Sequence, residues 1–137
     1  MSEENFEELI EIAKAARLQS VAPFSKFLVG AAVKTEDGKV YIGCNIESAS
    51  YGLTVCAERV AIWKALSEGE RQFSELAIVA DTEQLTPPCG TCRQIIHEFC
   101  DGATIVLANL RGETQTCDIE ELLPRAFDAR FLSRNAK

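Results

Sequence analysis

Two short runs of nearly unbroken hydrophobicity, ELAIVAD at 75–81 and ATIVLANL at 103–110, constrain this chain more than anything else in it. A strand with one wet face alternates polar and apolar residues; a run this uniform is covered on both faces. The stretch between them, 90–100, reads as a helix, so strand, helix and strand follow one another as in a layered α/β sheet. A second constraint comes just afterwards. Between ATIVLAN and TQTCDIEELL stands only LRGE, too short for a parallel crossover, so any fifth strand there runs antiparallel to the fourth.

Upstream, residues 4–18 carry Phe6, Leu9, Ile10, Ala13, Ala16 and Arg17 as a stripe of period 3.6, with acids early and Lys14 and Arg17 late, as a helix dipole prefers. FLVGAAVKTEDGKVYIGCNIE holds two strand-like runs joined by EDGK, and Asp-Gly in that position signals a hairpin. Residues 55 to about 68 read as a helix stopped near Gly69. The order is helix, hairpin, helix, strand, helix, strand, which implies a sheet sandwiched between helices. At 137 residues the chain suits one domain, 1–137, with a linker-like tail after Leu132.

Composition removes several classes of function. Apolar residues make up 47% and charged residues 26%, without a low-complexity tract, which excludes a disordered chain. No run approaches the roughly 18 to 20 apolar residues of a membrane span, and MSEENFEELIEIAKAA is acidic rather than a secretory leader. A cytoplasmic location is expected, and with it six reduced cysteines instead of a disulfide framework. A formal charge of −7 repels nucleic acid backbones. A small uncharged substrate fits better.

The chemistry lies in the cysteines. Cys89 and Cys92 form a C-x-x-C at a helix start, where two sulfurs can share one ion and backbone N–H groups favour thiolates. A redox pair has the same spacing, but it leaves Cys56 unexplained, set at the start of the preceding helix with Glu58 beside it. Three thiolates from two helix starts can close on a tetrahedral zinc and leave a corner open for water. Neither remaining residue on the third helix closes it. His97 lies about 140° around the helix from Cys92, and Cys100 roughly 12 Å along its axis. Cys44 and Cys117 fall in strand-like segments and are expected to pack as small buried hydrophobes. Glu58 is then a proton carrier next to the metal, although a first-turn acid complementing the helix dipole would look the same. Arg59 can hydrogen-bond the sulfurs and offset the surplus negative charge of three thiolates, or be an ordinary surface arginine.

CAERVAI, then 25 residues, then PCGTCRQII resembles the signature of the zinc-dependent nucleoside deaminases, in the version where cysteine replaces the histidine ligand. APFSKFLVGAAV, GCNIESASYGLTVCAER and ELLPRAF are similar to segments of the small homotetrameric cytidine deaminases, over roughly residues 8–127. The resemblance implies a three-layer α-β-α sandwich around a five-stranded mixed sheet whose last strand is antiparallel. It implies a hydrolase that deaminates cytidine and 2′-deoxycytidine in pyrimidine salvage, with one zinc per subunit of a homotetramer. Cys56, Cys89 and Cys92 then hold zinc and Glu58 shuttles protons, with Arg59 behind the sulfurs. Phe27 packs on the pyrimidine, Asn45 and Glu47 bind ribose hydroxyls, Ala57 contacts substrate, and Phe127 reaches a neighbouring subunit's site. Taken without the resemblance, Asn45 and Glu47 are strand-end turn residues and Phe27 is core. Three departures stand out: Phe24 in place of a common tyrosine, Gly52 in place of a frequent proline, and the tail DARFLSRNAK. The rival expectations are a deaminase for another cytosine-type nucleoside, such as a nucleoside antibiotic, and a non-catalytic zinc-stapled interaction domain.

Overall fold

The two apolar runs are adjacent parallel strands at the centre of a five-stranded sheet. The structure, a computed structural model, describes residues 6–132. It contains α1 (Glu7–Ala16), β1 (Val29–Thr35), β2 (Val40–Cys44), α2 (Ala57–Ser67), β3 (Phe73–Ala80), α3 (Gly90–Phe99), β4 (Thr104–Ala108), β5 (Thr114–Cys117) and α4 (Ile119–Leu122). The strand order is β2-β1-β3-β4-β5. β3 and β4 run parallel with Leu76 opposite Ile105 and Ile78 opposite Leu107; the other neighbours are antiparallel, including β5 on β4. The short LRGE connection therefore makes the hairpin it was expected to make.

Both faces of the sheet are covered, which is why its central strands do not alternate. On one face Ala31, Val33, Leu76, Ile78, Ile105 and Leu107 pack with Ala57, Ala61, Ile62 and Ala65 of α2 and Ile96 of α3. On the other, Ala32, Ala77, Val79, Val106 and Ala108 pack with Leu9 and Ala13 of α1. The result is the three-layer α-β-α arrangement. Ile62, Leu76, Ile78, Ile96 and Ile105 are fully buried, each contributing about 1.5–3 kcal/mol.

Helix boundaries are tighter than the periodicity predicts. The helix expected over 4–18 runs from Glu7 to Ala16 and tightens into a 3-10 turn at Arg17–Gln19; positions 4 and 5 lie outside the described residues. The helix expected over 55–68 begins at Ala57, because Cys56 is an extended N-cap residue. The third begins at Gly90 behind an equally extended Cys89 and ends at Phe99. Two strand glycines set how closely helices approach. A Cβ on Gly30 would lie 2.0 Å from the Ala13 carbonyl oxygen of α1, and one on Gly43 would lie 2.3 Å from the Ala57 carbonyl oxygen of α2. Glycine in these strands buys contact between backbones at some cost in strand propensity. The Gly43 contact fixes the first turn of α2 against the sheet.

Candidate active site

The N-termini of α2 and α3 meet at one end of the sheet, and each begins with a cysteine. Cys56 caps α2 and Cys89 caps α3, while Cys92 follows one helical turn inside. Cys56 Sγ and Cys89 Sγ are 3.6 Å apart, and the three sulfurs lie within 4.8 Å of one another. Zinc–sulfur bonds of about 2.3 Å in tetrahedral geometry place sulfurs about 3.8 Å apart, so the trio fits a zinc ion. Among the described residues this is the one group of three or more such donors positioned for a metal. Glu58 stands beside it but outside the ligand group. His97 points elsewhere, its Nε2 2.8 Å from Asp128 Oδ2, and Cys100 is buried in the core at the end of α3. Among the described residues no fourth donor joins the trio, and three protein ligands are the number that catalytic zinc sites use, where structural sites use four.

The electrostatics suit a cation. The Cys56 thiol is held down to about 5, first by a hydrogen bond with Cys92 and then, against burial, by Arg59 and Cys89. Its hydrogen bond to Cys56 and its burial drive Cys92 far up. Negative charge gathers at this cluster, and Arg59 Nη2 lies 3.6 Å from Cys56 Sγ to balance it. Arg59 also sits over the Trp63 ring, 5.8 Å from its centroid. Glu58 is 4% exposed, and burial pushes its carboxyl up to about 7, helped by the charge on Cys56 and opposed by its own backbone N–H. A carboxyl so placed holds or yields a proton near neutral pH, which is what acid–base catalysis requires.

A cavity of about 200 Å³ opens in front of the sulfurs, lined by Phe27, Val29, Asn45, Thr54, Val55, Cys56, Glu58, Ile78, Thr86, Pro87 and Cys89. Phe27, Asn45, Cys56, Glu58 and Cys89 are thus brought together. Cys92 and Ala57 lie behind the wall, both buried. Glu47 is not on the wall. Its Oε1 accepts from the Phe24 and Ser25 N–H groups at 2.9 and 3.0 Å, and its Oε2 from the Ser25 hydroxyl, so it braces the loop that carries Phe27. Those bonds, the Ser25 hydroxyl foremost, hold its carboxyl below the usual range. Asn45 braces the same loop, accepting from Val29 N–H at 2.9 Å and donating to the Phe27 carbonyl at 2.8 Å. Phe127 lies away from this cavity, stacked on Phe131 with centroids 5.7 Å apart and 55% exposed. Cys44 and Cys117 are partly buried rather than fully so, because β2 and β5 are the edge strands of the sheet; Cys117 packs against the main core as expected. Sequence reasoning missed Val29, Thr54, Val55, Ile78, Thr86 and Pro87. Thr86 and Pro87 directly precede the C-x-x-C segment, which was the available signal.

A family model described as the cytidine and deoxycytidylate deaminase zinc-binding region matches residues 3–108. A cytidine deaminase of Sporosarcina psychrophila is 51% identical over 132 residues, spanning 96% of this chain and 97% of its own length. One from Halalkalibacterium halodurans is 52% identical over 126 residues, spanning 91% and 96%. The crystal structure of a cytidine deaminase from Burkholderia pseudomallei matches with a TM-score of 0.86 at 46% identity, covering 90% of this chain and 100% of that one. Three clustered thiols on two helix starts, with a buried glutamate beside them, agree with these likenesses, and the chain belongs to the cytidine and deoxycytidylate deaminase family.

Proposed function

We propose that this protein is a zinc-dependent hydrolase that converts cytidine and 2′-deoxycytidine to uridine and 2′-deoxyuridine with release of ammonia, as in pyrimidine salvage. The observation that carries the reading is Glu58: buried, facing the cavity, and next to three clustered cysteine sulfurs without joining them. Zinc held by Cys56, Cys89 and Cys92 supplies Lewis acidity that makes water nucleophilic near neutral pH. Glu58 takes the proton that water gives up, places it on N3 of the pyrimidine as C4 is attacked, and passes a proton to the departing amine. Arg59 offsets the charge of three thiolates on a divalent ion.

Phe27 packs on the base; Ala57, expected to contact substrate, is fully buried and absent from the cavity lining, so it supports the wall formed by its neighbours Cys56 and Glu58. Asn45 uses one N–H and one lone pair on the loop, which leaves one of each for a ribose hydroxyl. Glu47 keeps acceptor capacity on Oε2 for the same purpose. A cavity of about 200 Å³ is smaller than the roughly 300–1,000 Å³ of pockets that enclose a drug-sized ligand. It suits the base, with the sugar at an open rim that another subunit completes. That supports a homotetramer in which Phe127 reaches a neighbour's site, as do the exposed Val21, Phe24, Ile46, Tyr51 and Leu53. The reading takes 1–137 as one domain. It also takes the enzyme as cytoplasmic, in keeping with six free cysteines; no helix among the described residues is long and apolar enough to cross a membrane.

The test is the loss of cytosine absorbance with zinc-replete protein, comparing initial rates on cytidine, deoxycytidine, cytidylate, guanine and a cytosine nucleoside antibiotic. Turnover of the first two above the rest is expected. Absence of turnover on all five would leave a zinc-stapled interaction domain, and preference for the antibiotic would reassign the substrate.

A further inference from the structure

The segment between β3 and α3, residues 81–88, has no helix or strand of its own, yet it supplies two walls of the cavity, Thr86 and Pro87, and delivers Cys89. Pro87 and Pro88 lack N–H donors. The Thr82 hydroxyl holds the segment from within, donating to the Gln84 carbonyl at 2.5 Å, and side chains from elsewhere hold its two ends. At its end, Arg93 Nε donates to the Pro88 carbonyl at 2.8 Å. At its start stands Asn109, the residue after β4 and 4% exposed.

The Asn109 amide has two halves with different partners. Its Oδ1 accepts from the Arg111 and Glu113 N–H groups at 2.9 and 3.1 Å, shaping the turn between β4 and β5. Its Nδ2 has two hydrogens for three acceptors, Glu113 Oε1 at 2.6 Å and the Thr82 and Glu83 carbonyls at 3.0 and 3.3 Å, so two of these share one N–H. Thr82 carries the link onward, its hydroxyl 3.0 Å from that of Thr86 on the cavity wall. One buried side chain thus ties the β4–β5 turn to the wall segment that leads into Cys89.

We propose that Asn109 is a positioning residue for the deaminase site: by pinning Thr82 and Glu83 it sets where Thr86, Pro87 and Cys89 stand, and so governs zinc retention and substrate affinity. The proposal rests on the deaminase reading for its kinetic half alone. Zinc retention is measured without any substrate.

The experiment uses two variants that separate turn from wall. Asn109→Asp keeps size and the Oδ1 acceptor but replaces the donor with an anion facing two carbonyls and Glu113. Adding Glu113→Gln returns a donor to that second oxygen, restoring the turn, while the Thr82 and Glu83 carbonyls stay unbound. Melting temperature, the rate of zinc loss to a coloured chelator, and KM and kcat for cytidine are measured on both. The single variant is expected to melt lower, lose zinc faster and show a raised KM. The double variant is expected to recover its melting temperature while zinc loss and KM stay roughly five- to tenfold above the starting protein, the scale of a lost buried hydrogen bond. If zinc loss and KM recover together with the melting temperature, Asn109 serves only the turn and the proposal fails. Should the single variant be insoluble, the double variant decides alone: normal zinc loss and KM overturn the idea. Shifted zinc loss in a protein that turns over no cytidine would sustain the positioning role while removing the proposed activity.

Discussion

Gly43→Ala adds one methyl group, and the structure says where it goes: 2.3 Å from the Ala57 carbonyl oxygen and 2.5 Å from the Ala61 N. Both are helix backbone, so no rotamer change relieves the clash. Gly43 is not among the residues with positive φ, so alanine is tolerated by the strand itself and the contact alone is perturbed. Reaching an ordinary contact of 3.4 Å requires α2 to retreat by about 1.1 Å. Overpacking of this kind costs about 1–3 kcal/mol, or roughly 4–12 °C in Tm for a domain of this size. Cys56 immediately precedes Ala57 and moves with it, while Cys89 belongs to α3. Metal–ligand distances tolerate only about 0.2 Å, and a misplacement of about 1 Å costs on the order of 100-fold in rate. The variant should therefore melt lower, bind zinc substoichiometrically and lose most of its turnover. Gly30→Ala is the control, because its clash, 2.0 Å from the Ala13 carbonyl oxygen, lies on the opposite face. It should destabilise yet retain zinc. A Gly43→Ala protein with full zinc and unchanged turnover, or a Gly30→Ala protein that loses zinc as readily, would refute this account of how the sheet places the ligands.

Glu58→Gln should keep a full complement of zinc, by metal analysis, and lower kcat at least about 100-fold; undiminished kcat would remove Glu58 from the chemistry. Cys89→Ala should lose zinc and melt lower, since metal binding and folding are coupled; a zinc-replete, active variant would break the proposed ligand set. The strap after α4 is fastened to α3 by Asp128 on His97 and by Gln94 Nε2 on the Phe127 carbonyl at 2.8 Å. Hydrogen bonds from Arg130, then His97, hold the Asp128 carboxyl well below its ordinary value of 3.8. A depressed carboxyl contributes stability that is complete above that ordinary value and lost as pH falls through the lower, folded one. Limited proteolysis should thus find the strap protected at pH 5 and released only in stronger acid, whereas Asp128→Asn should release it at neutral pH; equal cleavage of the two proteins at pH 7 would remove Asp128 from the fastening.

Much of this was readable in advance because it depends on local chemistry. Uniform apolar runs announced strands covered on both faces, and LRGE was too short for anything but a hairpin. The three sulfurs could be assembled because both helices announce their starts. What was hidden depends on chain folding back over long separations. Glu47 reaches Phe24 and Ser25, 23 and 22 residues away, and no periodicity reports that. Thr54, Val55, Thr86 and Pro87 lie in segments without a repeat of 2 or 3.6, so nothing in their spacing announces a shared wall. The incomplete burial of Cys44 and Cys117 follows from strand order, which places β2 and β5 at the edges; a sequence lists strands without ordering them. The early end of α1 belongs with these, since it occurs where Arg17 meets Gly30 across the layer boundary.

The caps of the helices show where local rules yield to chemistry. α4, away from the sulfurs, begins with an orthodox capping box: Asp118 accepts from the Glu121 N–H at 3.2 Å while the Glu121 carboxylate accepts from the Asp118 N–H at 3.0 Å. α2 and α3 begin with cysteine, which makes no side-chain cap hydrogen bond in either. Serine, threonine, asparagine or aspartate there is worth about 0.5–2 kcal/mol over a residue that cannot cap, so both helices forgo that stabilisation at adjacent positions. The positive ends of both helix dipoles lie at these cysteines, where they favour thiolate over thiol. α1 also begins without a side-chain cap, on Phe6, so what sets α2 and α3 apart is that a cysteine stands at the cap of each. Two cysteine caps converging on one point, beside a buried glutamate, are the mark of a site held against local preference for the sake of its chemistry.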